Sequence, residues 1–261
     1  MLKFFGGLPK KPVSGFEITH EGKIFRITLK RIASARRLTL RVRSATRDIV
    51  LTMPPRASLR QAQEFASNHA HWISLRLARV PQTTPFEPGE RIYLRGVEHL
   101  LRHCADVKKG RGAVWQEEYD GLPTLCSGGD PAGFEKRIGD FLRREARRDL
   151  ENAVRRHANA TGRAPIALSL RDTSSRWGSC SAKGALNFSW RLIMAPPFVL
   201  DYLAAHETAH LRHHDHSENF WALTKSLCPD TARAEAWLKA YGGKLHRYGR
   251  KSKEGDHEAT A

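Results

Sequence analysis

The sequence has no apolar run of the roughly 18–20 residues that a membrane-spanning helix requires. Near its start only Phe4 and Phe5 form an apolar centre, which is too short for a secretory signal. The four cysteines include no C-x-x-C pair, so neither a disulfide framework nor a cysteine-based zinc finger is predicted. No internal repeat and no phosphate-binding motif is visible. We therefore expect a soluble, cytoplasmic protein with mostly reduced thiols and no membrane partner.

Acidic residues are scarce relative to basic ones. The 27 Asp and Glu residues against 44 Lys and Arg residues give a formal net charge of +17, spread along the whole chain. Such a field attracts polyanions and acidic protein surfaces. Association with nucleic acid is therefore compatible with the charge, but no nucleic-acid-binding motif is visible. The oligomeric state does not follow from the sequence.

Apolar patterns and turn residues divide the chain into four regions. Residues 1–15 contain several prolines and glycines and are predicted to be a flexible leader. Residues 16–129 are predicted to be a β-rich N-terminal region with one helix. Residues 130–248 are predicted to form the catalytic region, and residues 249–261 a disordered tail.

Two helices and one strand are predicted with defined bounds. The helix of the N-terminal region is predicted over Leu59–Ala78, capped by Ser58 and with Trp72 in the core. A strand is predicted over residues 185–193, and its part over residues 185–190 is either an internal strand or an edge that receives an extended peptide. Another helix is predicted from Phe198 to about Arg212, because Pro196-Pro197 suits a first helical turn.

This last helix contains the motif His206-Glu207-Thr208-Ala209-His210, which has the form H-E-x-x-H. Residues four apart lie on the same helix face, so the two imidazoles can reach one ion. Glu207 can lie beside a water at that ion and take its proton. The pattern therefore predicts a zinc hydrolase with Glu207 as the general base.

A catalytic zinc site has three protein ligands and one open position. His216 lies six residues after His210, where the chain can turn back, and it is the favoured third ligand. Asp215 and His213 are rival third ligands.

The C-terminal motifs resemble the YgjP-like metallopeptidases, which are related to the SprT-like and WLM zinc peptidases. The motifs that carry the resemblance are Arg176-Trp177-Gly178-Ser179-Cys180, residues 187–196, Asp201-Tyr202-Leu203-Ala204-Ala205 leading into the H-E-x-x-H motif, Asp215-His216-Ser217 and Phe220-Trp221. The resemblance implies an α+β, zincin-like metallopeptidase fold that hydrolyses peptide bonds in proteins or peptides. It also implies Zn²⁺ on His206, His210 and His216, with Glu207 catalytic.

One departure from the family is Thr208, where a leucine is usual; this position is neither ligand nor base. The spacing of the three histidines also matches the metzincins. However, His213 replaces the glycine expected between the second and third ligands, and Met194 precedes the motif, so no Met-turn follows it.

Several functional alternatives remain open at this level. The zinc centre can instead hydrolyse nucleotides or other phosphorylated small molecules, since the positive charge suits phosphates. A structural zinc in a nucleic-acid-associated protein is another alternative, which requires a fourth protein ligand. The donor that stabilises an oxyanion is not identified, and the candidates are His213, His214, Arg176 and Tyr241.

Overall fold

The computed structural model describes residues 15–43, 47–79, 83–104, 113–173 and 175–249. The chain forms two compact units, one before and one after residue 81, and each contains helices and sheets. The predicted mixed α+β class is thus confirmed. Apart from Gly15 and Gly249, the predicted leader and tail lie outside the described residues. No helix in the described part of the chain is long and apolar enough to cross a membrane.

The N-terminal unit is a four-stranded sheet with two helices. Its strand order is β1-β2-β4-β3, with β2 and β4 parallel and the other neighbours antiparallel. Because side chains alternate between the faces of a sheet, one face contributes Ile27 and Leu51 to a core that the helices complete with Ala62 and Ile73. The elements are β1 (Gly15–His20), β2 (Lys23–Arg31), β3 (Thr39–Val42), β4 (Ile49–Met53), α1 (Leu59–Asn68) and α2 (Ala70–Ala78).

Helix α1 begins as the sequence predicts, but the single helix expected here is two helices. The Ser58 hydroxyl accepts the Gln61 N–H at 3.1 Å, and the Gln61 side chain accepts the Ser58 N–H at 2.9 Å, which forms a capping box. The helix breaks at His69, whose φ of −105° and ψ of 12° are not helical. The prediction that Trp72 lies in the core is wrong, because this side chain is 43% exposed.

The C-terminal unit contains a second four-stranded sheet and the longest helix. The sheet has the order β5-β6-β8-β7, and its Leu101 and Leu125 share one buried core with Leu142 and Leu150 of α3. Helix α3 ends at Gly162, which has a left-handed φ of 67°. The elements are β5 (Arg91–Leu94), β6 (Val97–His103), β7 (Val114–Tyr119), β8 (Leu122–Ser127) and α3 (Phe134–Thr161).

The described part of this unit also contains a three-stranded sheet and further helices. Strand β11 lies between β9, which is parallel to it, and β10, which is antiparallel. The predicted strand over 185–193 ends at Ser189, and Trp190–Met194 forms a 3₁₀ helix instead. The elements are β9 (Ala167–Arg171), β10 (Gly178–Cys180), β11 (Ala185–Ser189), α4 (Pro197–Ala209), α5 (Glu218–Leu227) and α6 (Thr231–Trp237). A π-helical stretch, Leu238–Gly242, and a helical turn, Gly243–Leu245, follow α6.

A buried arginine holds the loop before β10 in place. Arg191 is 1% exposed, and its guanidinium donates to the Asp172 carboxylate at 2.7 Å. The same group donates to the carbonyls of Leu245 and Tyr248, at 3.1 and 2.6 Å. A buried guanidinium needs such partners, because an unpaired charge in the interior is strongly unfavourable. Arg191 therefore ties this loop to the segment after α6.

Candidate metal centre

Helix α4 carries the H-E-x-x-H motif at its C-terminal end. Its apolar residues, including Leu203 and Ala205, are buried in the core of the C-terminal unit. His206 lies in the last turn and His210 is the C-cap residue. The two imidazole rings therefore share one face, with centroids 5.0 Å apart.

The chain turns back after α4 and places His216 against this pair. The Nε2 atoms of His216 and His206 are 3.4 Å apart, and the His216 and His210 ring centroids are 4.8 Å apart. One nitrogen from each ring can be chosen so that all three lie within 4.8 Å of one another. Phe220, buried in the first turn of α5, stacks on His210 at 4.4 Å and supports the group. The structure thus brings the three predicted ligands together.

The two rival third ligands lie differently. His213 contributes its carbonyl, which accepts the Nδ1–H of His210 at 2.9 Å. Asp215 is exposed, and its carboxylate accepts the Ser217 N–H at 3.4 Å. Neither belongs to the cluster of candidate ligands around His206 in the described residues.

Hydrogen bonds fix the orientation of the two helix histidines. With its Nδ1–H bonded to the His213 carbonyl, His210 keeps Nε2 free for a ligand role. His206 Nδ1 lies 3.4 Å from the Tyr202 hydroxyl, which donates to the Glu235 carboxylate at 3.0 Å. Since His206 Nε2 faces His216, its proton belongs on Nδ1, where Tyr202 can accept it. A chain from Glu235 through Tyr202 therefore orients His206.

Glu207, the residue after His206 in α4, is buried against strand β10. Its side chain lies so close to Gly178 that a Cβ atom at that position would be 2.4 Å from Oε1. The residue is 4% exposed, and Oε2 has no hydrogen-bond partner among the described residues. Burial raises the pKa of Glu207 to about 7, although the nearby charge of Arg176 acts to lower it. A carboxylate with this pKa is suited to exchange protons near neutral pH.

The electrostatics of the cluster favour neutral imidazoles. Burial, together with the neighbouring His210 and His216, lowers the pKa of His206 to about 4. Burial also lowers the pKa of His210. Neutral imidazoles have a lone pair available for a cation, which a protonated ring lacks. The two helix histidines are therefore held in the neutral form that a metal site requires.

Strand β10 has a free edge next to Glu207. The Trp177 carbonyl accepts a hydrogen bond from β11 at 2.8 Å, and the Ser181 N–H donates one at 2.9 Å. Because such bonds alternate along an antiparallel pair, Gly178 and Cys180 direct their backbone groups to the opposite edge. No strand pairs with that edge in the described parts of the chain. Of the two alternatives for residues 185–190, the structure thus has the internal strand, β11, and the open edge belongs to β10.

The sequence model described as "YgjP-like, metallopeptidase domain" matches residues 36–241. The chain belongs to this family. The matched range covers most of the chain and includes all the residues of the histidine cluster. As a YgjP-like metallopeptidase, the protein uses a metal cofactor and acts on proteins or peptides.

One solved structure shows weak similarity to part of the chain. The metallopeptidase zymogen of Pyrococcus abyssi abylysin, known from a crystal structure, is 21% identical over 38% of this chain and 97% of that chain, with a TM-score of 0.33. A superposition this poor carries no argument about fold or mechanism. No curated protein matches the chain.

Two features of the centre, the contact of Tyr202 with Glu235 and the space beside Gly178, are not among the sequence predictions. Tyr202 is one turn before His206, so helical spacing gives a signal for their contact, but Glu235 comes from another helix. Gly178 belongs to the Arg176–Cys180 motif, yet only the fold reveals that its missing side chain makes room for Glu207. The structure does not distinguish among the four candidates for the oxyanion donor. One of them, Arg176, lies near enough to Glu207 for its charge to lower the pKa of that carboxyl group.

Proposed function

We propose that this chain is a zinc-dependent metallopeptidase of the H-E-x-x-H type, with a zincin-like catalytic region. In this proposal His206, His210 and His216 hold Zn²⁺, and Glu207 is the general base. The observation that carries it is the approach of three imidazole nitrogens to within 4.8 Å of one another, together with the burial of Glu207, the residue that follows His206 in α4. The catalytic residues all belong to residues 130–248, which share one core with the β5–β8 sheet.

The distance between two of the imidazoles fits zinc. Two nitrogens bound to a tetrahedral zinc at roughly 2.0–2.1 Å are about 3.3–3.4 Å apart. The Nε2 atoms of His206 and His216 are 3.4 Å apart. Three nitrogen donors without a carboxylate or thiolate also suit zinc better than magnesium or calcium, which prefer oxygen. The donor set therefore supports zinc and leaves one coordination position for substrate chemistry.

A bound zinc ion would supply Lewis acidity, which makes a water more acidic and polarises a peptide carbonyl. The carboxylate of Glu207 would take the proton from the attacking water. It would then return that proton to the nitrogen of the departing amine. The unpartnered Oε2 atom and the pKa near 7 suit both transfers, because the group can hold or release a proton at neutral pH.

The free edge of β10 offers a place for an extended peptide. Backbone groups of Gly178 and Cys180 point away from β11 and can pair with a peptide by strand addition. Gly178 also contacts Glu207, so a peptide bound there runs past the proposed base. We therefore propose a polypeptide substrate and not a nucleotide. We also expect the protein in the cytoplasm, which cell fractionation would test.

The test combines metal content with turnover. Purified protein should carry about one zinc per chain, and His206→Ala and His216→Ala should lose it. Glu207→Gln should keep the metal but lose at least about 100-fold in kcat on a peptide substrate. The exposed Glu64→Gln in the N-terminal unit is the matched control and should keep full turnover. Full turnover by Glu207→Gln would refute the mechanism.

Two further measurements separate the alternatives. Peptides and nucleotides should be screened side by side, with the Glu207→Gln protein as the blank. Hydrolysis of nucleotides alone would refute the peptidase proposal. X-ray absorption should report three histidine nitrogens on the zinc; a fourth protein ligand would instead indicate a structural ion.

A further inference from the structure

A cavity of about 310 Å³ lies beside strand β10. Its lining consists of Arg171, Thr173, Arg176, Gly178, Ser179, Asn187 and Phe188. No carboxylate lines it, and no salt bridge pairs either arginine with an acid in the described parts of the chain. The cavity is therefore polar and positively charged, and its lining residues do not belong to the histidine cluster.

The side chains of Ser179 and Asn187, which line the cavity, lie on the opposite face of the small sheet from Glu207. Ser179 and Asn187 are paired in register, so their side chains share one face. Gly178 is adjacent to Ser179 in β10, and adjacent strand residues face opposite sides of a sheet. Gly178 therefore faces the side opposite to Ser179, where it contacts Glu207. An extended peptide paired with the free edge of β10 would project alternate side chains to these two faces. A side chain on the Ser179 face would meet the cavity.

We propose that this cavity is a substrate subsite for an aspartate or glutamate side chain; the inference rests on the proposed peptidase function. The guanidinium groups of Arg171 and Arg176 match the acceptor oxygens of a carboxylate. The Ser179 hydroxyl and the Asn187 amide are further donors in the lining. The net charge of +17 would draw acidic peptides toward the protein, but only a local site selects one position of the peptide. Arg171 and Arg176 are thus specificity-determining residues.

The test measures binding in the full-length Glu207→Gln protein, so that cleavage does not interfere. A random dodecapeptide library is selected on this protein. The best acidic binder and its isostere, with Gln for Glu or Asn for Asp, are then compared by fluorescence anisotropy. We expect the carboxylate peptide to bind about tenfold more tightly or better. In Arg171→Gln/Arg176→Gln, added to the same background, that preference should fall below about twofold.

A charge-matched control separates the subsite from the general field. Arg144→Gln/Arg155→Gln removes two exposed arginines of α3 and should leave the preference unchanged. Equal binding of both peptides, an equal loss in the control, or failure to enrich any peptide would each overturn the inference. The proposed function fails on a different result, namely the absence of peptide hydrolysis by the parent protein, so the two failures are distinguishable.

A separate feature of the C-terminal unit is a pair of thiols in contact. Cys104, just after β6, and Cys126 of β8 have Sγ atoms 2.8 Å apart. Cys126 is fully buried, and its thiol donates to Glu117 Oε1 at 2.8 Å. The other Glu117 oxygen accepts the Trp115 indole N–H at 2.8 Å. These sulfurs are closer than non-bonded heavy atoms normally approach, which is roughly 3.5–4.0 Å for carbon.

We infer that Cys104 and Cys126 form a disulfide when the protein meets a low-molecular-weight disulfide such as oxidised glutathione. The partly exposed Cys104 attacks the reagent as a thiolate, which forms a mixed disulfide and releases one small thiolate. Cys126 Sγ then attacks Cys104 Sγ and passes its proton to Glu117 Oε1, and the second small thiolate leaves. Glu117 gives this proton up to the released thiolate. The protein loses two hydrogen atoms, and the reagent is reduced to two thiols. Burial raises the pKa of Cys126, which is why a proton acceptor in contact matters.

The test oxidises the full-length protein and maps its peptides. A Cys104–Cys126 cross-link should form, with loss of two hydrogen atoms from the intact mass. It should disappear in Cys104→Ser and persist in Cys180→Ser/Cys228→Ser. Glu117→Gln should slow release of the second thiol by about tenfold or more and leave the first unchanged. Both thiols remaining reduced, or a metal ion retained by the parent and lost in Cys104→Ser, would overturn the inference.

Discussion

Replacement of Gly178 by alanine tests the position of Glu207 without touching any proposed ligand. The new Cβ would lie 2.4 Å from Oε1, whereas ordinary contact begins at 3.4 Å. The carboxylate must therefore move by about 1 Å. The backbone at Gly178 does not have a positive φ, so alanine is permitted there and the strand should form.

A displacement of this size at a reacting group costs about 100-fold in rate. We expect Gly178→Ala to keep its zinc and its peptide affinity while kcat falls by about that factor. The assay is steady-state peptide hydrolysis, with zinc content measured on the same preparation. Gly243→Ala is the matched control, because no atom lies within 4 Å of the added methyl. If Gly178→Ala kept the parent's kcat with full metal, the placement of Glu207 over this glycine would not matter to catalysis.

Three other changes have definite expected results. The Thr208 hydroxyl is buried without a partner, so Thr208→Val should raise the free energy of unfolding by about 1 kcal/mol in urea titrations; a decrease would contradict this. Tyr202→Phe removes the hydroxyl that orients His206 and should weaken zinc affinity by about tenfold in chelator competition, an effect that unchanged affinity would exclude. Burial alone would raise the pKa of Asp201, but its hydrogen bond from His157 lowers it below 3.8. The ionised Asp201 therefore stabilises the folded state above about pH 3.8, and this stabilisation is lost as the pH falls further. The urea midpoints of Asp201→Asn and the parent should accordingly differ at pH 6 and converge in acid.

The sequence predicts the candidate centre better than it predicts the sheet beside it. Helical spacing alone places His206 next to His210, because both lie on one element. The approach of His216 depends on a turn of a few residues, which chain length permits but does not require. Strand β10 was not predicted, since Gly178–Cys180 is only three residues long and lies in a turn-rich segment.

Helix positions were predicted more accurately than helix continuity and exposure. The start of α1 follows from the Ser58 cap, a local signal that the structure contains. The sequence around His69 contains no glycine or proline that would indicate a helix break. Trp72 was expected in the core because it fits the apolar spacing of one continuous helix, and the break removes that basis. Which face of a helix is covered depends on tertiary packing.

The histidine cluster is formed by residues close together in the sequence, whereas the surroundings of Glu207 include a residue far from it in the sequence. All three imidazoles come from residues 206–216, so a short loop closure is enough to gather them. The surroundings of Glu207 depend instead on Gly178, a residue of another element. In a partly unfolded chain, β10 can detach while α4 and the turn after it persist. We expect such a chain to bind zinc still, although Glu207 no longer transfers protons. Metal content alone would then overestimate the fraction of competent enzyme.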